Sequence, residues 1–173
     1  MPKVDRVDDQ HTLLLMRHGK SEYPAGVPDH ERPLAARGIR EAALAGDWLR
    51  ANAPRVEAVL CSTATRTRQT LERTRINAPV RYVDALYGAT PGMVIEQING
   101  VSEEVGTLLV VGHEPTTSAT ALILAATDGT NTEAAQRIMV KFPTSSIAVL
   151  RVPGRWADLG PGGAVLVDFH VPR

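Results

Sequence analysis

Short apolar runs alternate with helical patterns along this chain: residues 12–16 then 34–52, 58–60 then 64–75, and 108–111 then 116–126. Runs that are apolar throughout, rather than at every second position, read as strands buried on both faces, and a sheet buries both faces only when helices cover each side. The rhythm therefore predicts an α/β fold, a three-layer αβα sandwich whose mostly parallel sheet carries helices on both faces. In the first helical pattern Ile39, Ala42, Gly46 and Leu49 recur at spacings of three and four, a narrow apolar stripe for the sheet, and Ala53-Pro54 ends it. Residues 146–152 and 164–170 flank the Pro/Gly-rich stretch 153–163 and read as strands joined by a loop. Residues 80–83 read as a short strand and 93–99 as a short helix.

One core suffices for 173 residues of which 43% are hydrophobic. Without an internal repeat or a linker, residues 12–173 read as a single domain preceded by a loose polar leader, 1–11. The one cysteine, Cys61, allows no intramolecular disulfide, which suits a reducing, cytoplasmic setting. No apolar run approaches the roughly 20 residues of a membrane helix. Nineteen basic and nineteen acidic residues leave a formal net charge of zero, so nothing here attracts nucleic acid or an anionic membrane to the surface as a whole. Nor does a heptad or long apolar stripe call for a partner copy, and a monomer is expected.

Cationic chemistry must then be local, and three distant segments supply it. The first run ends in Arg17-His18-Gly19. The second ends at Cys61-Ser62, with Ser62 or Thr63 as the expected helix cap and Arg66 in or near the first turn. The third ends in Gly112-His113, with Pro115 suited to the first turn of the next helix. Ligands of open α/β sheets bind at the carboxyl ends of the strands, where all three segments fall. Arg66 is awkwardly placed for a cation at a helix start, unless an anion sits there with it. Arg17, His18, Arg66 and His113 together make a pocket of two permanent positive charges and two imidazoles, suited to a phosphoryl group carrying about two negative charges.

The segments LLLMRHGKSE, CSTATRTRQT and LLVVGHEPT resemble the histidine phosphatase, or phosphoglycerate mutase-like, superfamily. DHERPLAARG, LYGATPG, the late Trp156 and the closing VDFHVPR resemble its small SixA-type phosphohistidine phosphatases. The resemblance implies that His18 is a nucleophile forming a phosphohistidine that water hydrolyses. Arg17, Gly19, Arg66 and His113 would then lie around the phosphoryl oxygens, no metal or cofactor would be needed, and the substrate would be a phosphorylated protein or a small phosphorylated metabolite.

The glutamate acid of larger members has no counterpart in the short interval from Arg66 to His113. Asp84 and Tyr87 stand there, and Glu22, Asp29 and Glu114 are other carboxylates near the motifs. An imidazole leaving group, with a pKa near 6.5, needs far less protonation than an alkoxide, so labile donors such as phosphohistidine suit the site. The short interval also leaves little chain for a lid. Other readings remain: a broad phosphomonoesterase, a mutase, or a phosphate- or phosphoprotein-binding module without turnover. A P-loop at Gly19-Lys20-Ser21 fails because Leu14 stands where its first glycine belongs. A metal site built on His18, His30 and His113 lacks a ligand spacing, and Cys61 at a strand end packs more readily than it reacts.

Overall fold

The computed structural model describes residues 10–173, and most of the expected leader lies outside the described residues. Six strands and five helices follow in the order β1 (His11–Arg17), α1 (Ala36–Asn52), β2 (Ala58–Ser62), α2 (Thr65–Thr74), β3 (Val80–Val83), α3 (Pro91–Asn99), β4 (Thr107–Gly112), α4 (Thr116–Leu124), α5 (Thr132–Val140), β5 (Ile147–Val152) and β6 (Val165–His170). The strands form one sheet in the order β3-β2-β4-β1-β5-β6. Strands β1–β4 run parallel, β5 pairs antiparallel with β1, and β6 pairs antiparallel with β5, so β5 alone runs against the rest. Among the described residues no helix is long and apolar enough to cross a membrane.

The unbroken apolar runs are explained by two cores, one on each face. Leu13, Leu15, Leu108 and Val110 point to one side and pack with Ile98, Leu124, Ile138 and Trp156, under α3, α4 and α5. Leu14, Met16, Leu109 and Val111 point to the other and pack with Leu49, Cys61 and Leu71, under α1 and α2. Alternate residues of each strand thus feed opposite cores. The β1–β4 register pairs Met16 with Val111 and Arg17 with Gly112, so both strands finish side by side at one edge of the sheet.

Several expected boundaries shift for identifiable reasons. The buried stripe of α1 is Gly38, Ala42, Ala45, Gly46 and Leu49, joined by Glu41, while Ile39 is only half-buried. The glycines set this rotation, because the helix backbone touches its neighbours there: a Cβ on Gly38 would stand 2.1 Å from the Lys20 carbonyl oxygen, and one on Gly46 2.1 Å from that of Thr74. Neither Ser62 nor Thr63 caps α2. Strand β2 runs on through Ser62, and the cap position is Ala64, whose N–H reaches the Ser62 hydroxyl at 3.3 Å. Pro115 stands at the cap of α4 rather than in its first turn. Helix α5 went unforeseen because it buries only Ala134 and Ile138, too narrow a stripe for a periodic signal.

The close approach at Gly38 gives a test. Gly38→Ala should destabilise the protein by about 1–3 kcal/mol in chemical denaturation, the usual cost of overpacking. Gly92→Ala is the control. Nothing lies closer than 3.9 Å to its added methyl, and it should be neutral or stabilising by up to about 1 kcal/mol.

Candidate active site

Carboxyl ends of β1 and β4 and the start of α2 converge on His18. The backbone around it is held from three directions. Its N–H donates to the Gly112 carbonyl at 3.0 Å, its carbonyl accepts from Ser145 N–H at 3.0 Å, and Gly19 N–H donates to Thr70 Oγ1 at 2.8 Å. The ring Nδ1 lies 2.7 Å from the Gly19 carbonyl oxygen. A carbonyl can only accept, so Nδ1 carries the proton and Nε2 keeps its lone pair. Burial pushes the His18 pKa down to about 3, helped by His113, Arg17 and Arg66 and opposed by the Gly19 bond. The imidazole is neutral at pH 7.

Both arginines are anchored by one end of the guanidinium. Arg17 Nη1 donates to the Phe142 carbonyl at 2.9 Å. Arg66, the second residue of α2, gives Nη1 to the Asp29 carbonyl at 2.7 Å and Nη2 to Asp29 Oδ2 at 3.1 Å. Each has a buried Nε without a hydrogen-bond partner. His113 repeats the pattern: its Nε2 lies 2.8 Å from Ser62 Oγ, and its Nδ1 is buried and unpartnered. Ser62 Oγ accepts from Ala64 N–H and still holds a proton to give; when it donates that proton to His113 Nε2, the ring proton sits on Nδ1 and Nδ1 is a donor. Burial, then the charge of Arg66, pushes His113 down to about 4. The rings of His18 and His113 are 5.3 Å apart. Leaving a buried polar group unsatisfied costs about 1–3 kcal/mol, more for a charged group, so three such nitrogens on residues that all act on His18 call for a ligand with several oxygens. A phosphoryl group has that shape and charge.

The structure thus brings Arg17, His18, Gly19, Arg66 and His113 together. The weaker candidates divide. Asp29 and Tyr87 stand beside Arg66: Asp29 also accepts from Arg32 Nε at 2.9 Å and from the Tyr87 hydroxyl. That hydroxyl first, then Arg66 and Arg32, hold the Asp29 carboxyl well below the usual range, so it is an ion and not a proton donor. Glu114 is engaged elsewhere, accepting from Ser118 N–H at 2.6 Å and Ser118 Oγ at 2.7 Å in the first turn of α4. Glu22 and Asp84 are exposed. His30 bonds Thr63 Oγ1 at 3.0 Å, and among the described residues no three or more His, Cys, Asp or Glu side chains cluster as metal ligands. Burial pushes the Cys61 thiol up to about 12, which suits packing.

Three contributors escaped the sequence. Thr70 lies one turn beyond Arg66, and that spacing was a usable signal, since i and i+4 share a helix face. Ser62 has the sequence position of a helix cap, which hides its contact with His113. Phe142 acts through its carbonyl, which no side-chain pattern reveals.

The chain as a whole is similar to known proteins. Residues 13–99 match the family described as Histidine phosphatase superfamily (branch 1). A protein of uncharacterised function from Mycobacterium tuberculosis H37Rv is 68% identical over 158 residues, covering 91% of this chain and 100% of that protein. Phosphohistidine phosphatase SixA of Escherichia coli K12 is 33% identical over 110 residues, 60% of this chain and 67% of that one. A solved structure from Nakamurella multipartitia, assigned the name phosphohistidine phosphatase SixA, superposes with a TM-score of 0.87 at 41% identity, over 94% of this chain and 96% of that one.

The two depressed imidazoles set a pH dependence of stability. Above about pH 6.5 both are neutral whether folded or unfolded. Below it the unfolded chain binds protons that folded His18 and His113 refuse until about pH 3 and 4. Stability should therefore fall as pH drops from about 6.5 to 4.5, each imidazole adding a slope of up to about 1.4 kcal/mol per pH unit. Denaturation of His18→Asn across that window should show a slope shallower by up to one proton. An unchanged slope would mean that folded His18 is already protonated there.

Proposed function

The chain belongs to the histidine phosphatase superfamily, and we propose that it is a phosphatase of the SixA type. In this reading it transfers a phosphoryl group from phosphohistidine, or another labile donor on a protein or small metabolite, to His18 Nε2 and then to water. One observation carries the reading: Nδ1 of His18 is committed to the Gly19 carbonyl at 2.7 Å, which leaves a neutral Nε2 in the neighbourhood of Arg17, Arg66 and His113, each with a buried ring or guanidinium nitrogen that lacks a partner.

Chemistry follows from that arrangement. The Nε2 lone pair attacks phosphorus, Nδ1–H stays on Gly19, and the positive charge that develops on the ring is met by the carbonyl dipole. Arg17 Nε, Arg66 Nε and His113 Nδ1 supply donors to the phosphoryl oxygens, held in place before the substrate arrives. Their anchors at Phe142, Asp29 and Ser62 mean that little reorganisation is needed as charge shifts. Water then attacks phosphorus and Nε2 leaves with its electron pair. Neither half-reaction draws on a carboxylic acid, which fits a donor whose leaving group is easily expelled and fits the ionised state of Asp29.

Trapping tests the reading. Wild type quenched during turnover of a phosphohistidine peptide should carry an acid-labile phosphate, and His18→Ala should carry none. Binding of the peptide without any covalent transfer would instead indicate a recognition module. Arg66→Gln, which removes the charge and Nε, should lower kcat/KM by about 100- to 1,000-fold, the usual loss for one preorganised donor.

A further inference from the structure

Four aromatic rings step outward from the nucleophile. His18 to His113 is 5.3 Å between centroids, His113 to Tyr87 is 5.5 Å, and Tyr87 to His30 is 4.8 Å, the last two edge to face. Asp29 lies beside this row, its Oδ2 bound by Arg66 Nη2 and by the Tyr87 hydroxyl, its Oδ1 by Arg32 Nε. A carboxylate offers roughly four lone-pair sites. Three are used, one on Oδ1 remains, and the side chain is 54% exposed. An anion touching a phosphate-binding arginine, with an acceptor site to spare and flat aromatic walls beside it, is unsuited to a leaving group bearing a carboxylate or phosphate, because like charges would meet there. It suits a flat leaving group that brings an N–H.

We propose that Asp29, with Tyr87 and His30 as walls, forms the leaving-group subsite for a phosphorylated imidazole, Oδ1 accepting the N–H of the ring nitrogen that does not carry phosphorus. The inference rests on the phosphatase reading above and goes beyond it in assigning how the departing ring is activated. Held on Asp29, the substrate ring is protonated at its far nitrogen before reaction. His18 Nε2 forms the new P–N bond, the substrate's P–N bond breaks, and its electron pair returns to the ring, which departs as neutral imidazole without a proton transfer in that step. His18, still protonated at Nδ1, becomes the phosphorylated imidazolium. Attack by water then returns the pair to Nε2 and releases dihydrogen phosphate. Asp29 does for the substrate ring what the Gly19 carbonyl does for the enzyme's own, and this explains how the site works without the missing glutamate acid.

The test compares two donors on three forms of the full chain. Phosphoimidazole can offer the N–H; para-nitrophenyl phosphate cannot. Because Asp29 also anchors Arg66, Asp29→Asn should slow both. Its kcat/KM for phosphoimidazole should fall at least tenfold further than for the aryl ester, because the amide oxygen lacks the charge that favours a protonated ring, and Asp29→Glu, which restores the carboxylate, should recover part of that difference. Equal losses on both donors, in an enzyme whose wild type phosphorylates His18 from each, would overturn the leaving-group role and leave the phosphatase reading standing. Failure of wild type to phosphorylate His18 from either donor would overturn both.

Discussion

A single hydrogen bond within two consecutive residues decides what His18 can be. Gly19 offers its carbonyl to Nδ1 of the preceding ring at 2.7 Å, and that acceptor fixes the tautomer in which Nε2 is the free nitrogen. The bond holds only if the Gly19 peptide cannot turn. Thr70 Oγ1 grips its N–H and in turn donates to the Arg66 carbonyl at 2.7 Å, tying the nucleophile's loop to the helix that carries the second arginine. Glycine at 19 keeps this seat close: a Cβ there would stand 3.1 Å from both the Gly38 carbonyl oxygen and Ser145 Oγ, tighter than ordinary contact. The tight seat of α1 and the tautomer of the nucleophile are therefore one constraint seen at two scales.

Electrostatics reinforces it. Two buried imidazoles sit under the charges of two arginines, and both effects oppose protonation, so the site keeps neutral rings beside permanent cations across the physiological range. Arg66 at the first turn of α2 works against the helix dipole. The Asp29 carboxylate relieves this from within the chain: an anion was expected at that spot, and part of it is built in. Because Asp29 engages Nη1 and Nη2, Nε is left over, and the cation is oriented without being consumed.

Much of this was legible in the sequence, and the limits follow from what side-chain patterns encode. The buried runs of β1, β2 and β4 are apolar on both faces, so they announced a covered sheet, and the residues just beyond them announced the site. Arg17, His18 and His113 were readable as residues at or just beyond strand ends, and Arg66 as a cation oddly placed at a helix start. Helix α5, with two buried residues, carried no periodic signal. In α1, Ala42, Gly46 and Leu49 were legible as the buried stripe, whereas Gly38 adds nothing to an apolar pattern although it marks the closest packing. Asp29 was visible as a carboxylate near a motif, but its role depends on a contact with a residue 37 positions away, and no local pattern encodes that. The Phe142 anchor is a main-chain carbonyl and has no sequence signature.

The reversed strand β5 has a functional reason that the rhythm of strands and helices could not supply. In a wholly parallel sheet every strand begins at the edge opposite the site, and segments entering strands stay remote from it. Strand β5 runs the other way, pairing Ile147 with Met16, so the turn that leads into it arrives at the carboxyl edge of β1. That turn delivers the Phe142 carbonyl to Arg17, Ser145 N–H to the His18 carbonyl and the Ser146 carbonyl to Arg17 N–H. Ser145 takes a left-handed backbone conformation there, with φ 62°, a strained choice for a serine that persists only where its surroundings impose it. Reversing one strand direction thus lets a fourth segment brace the nucleophile from the side that β4 and α2 cannot reach.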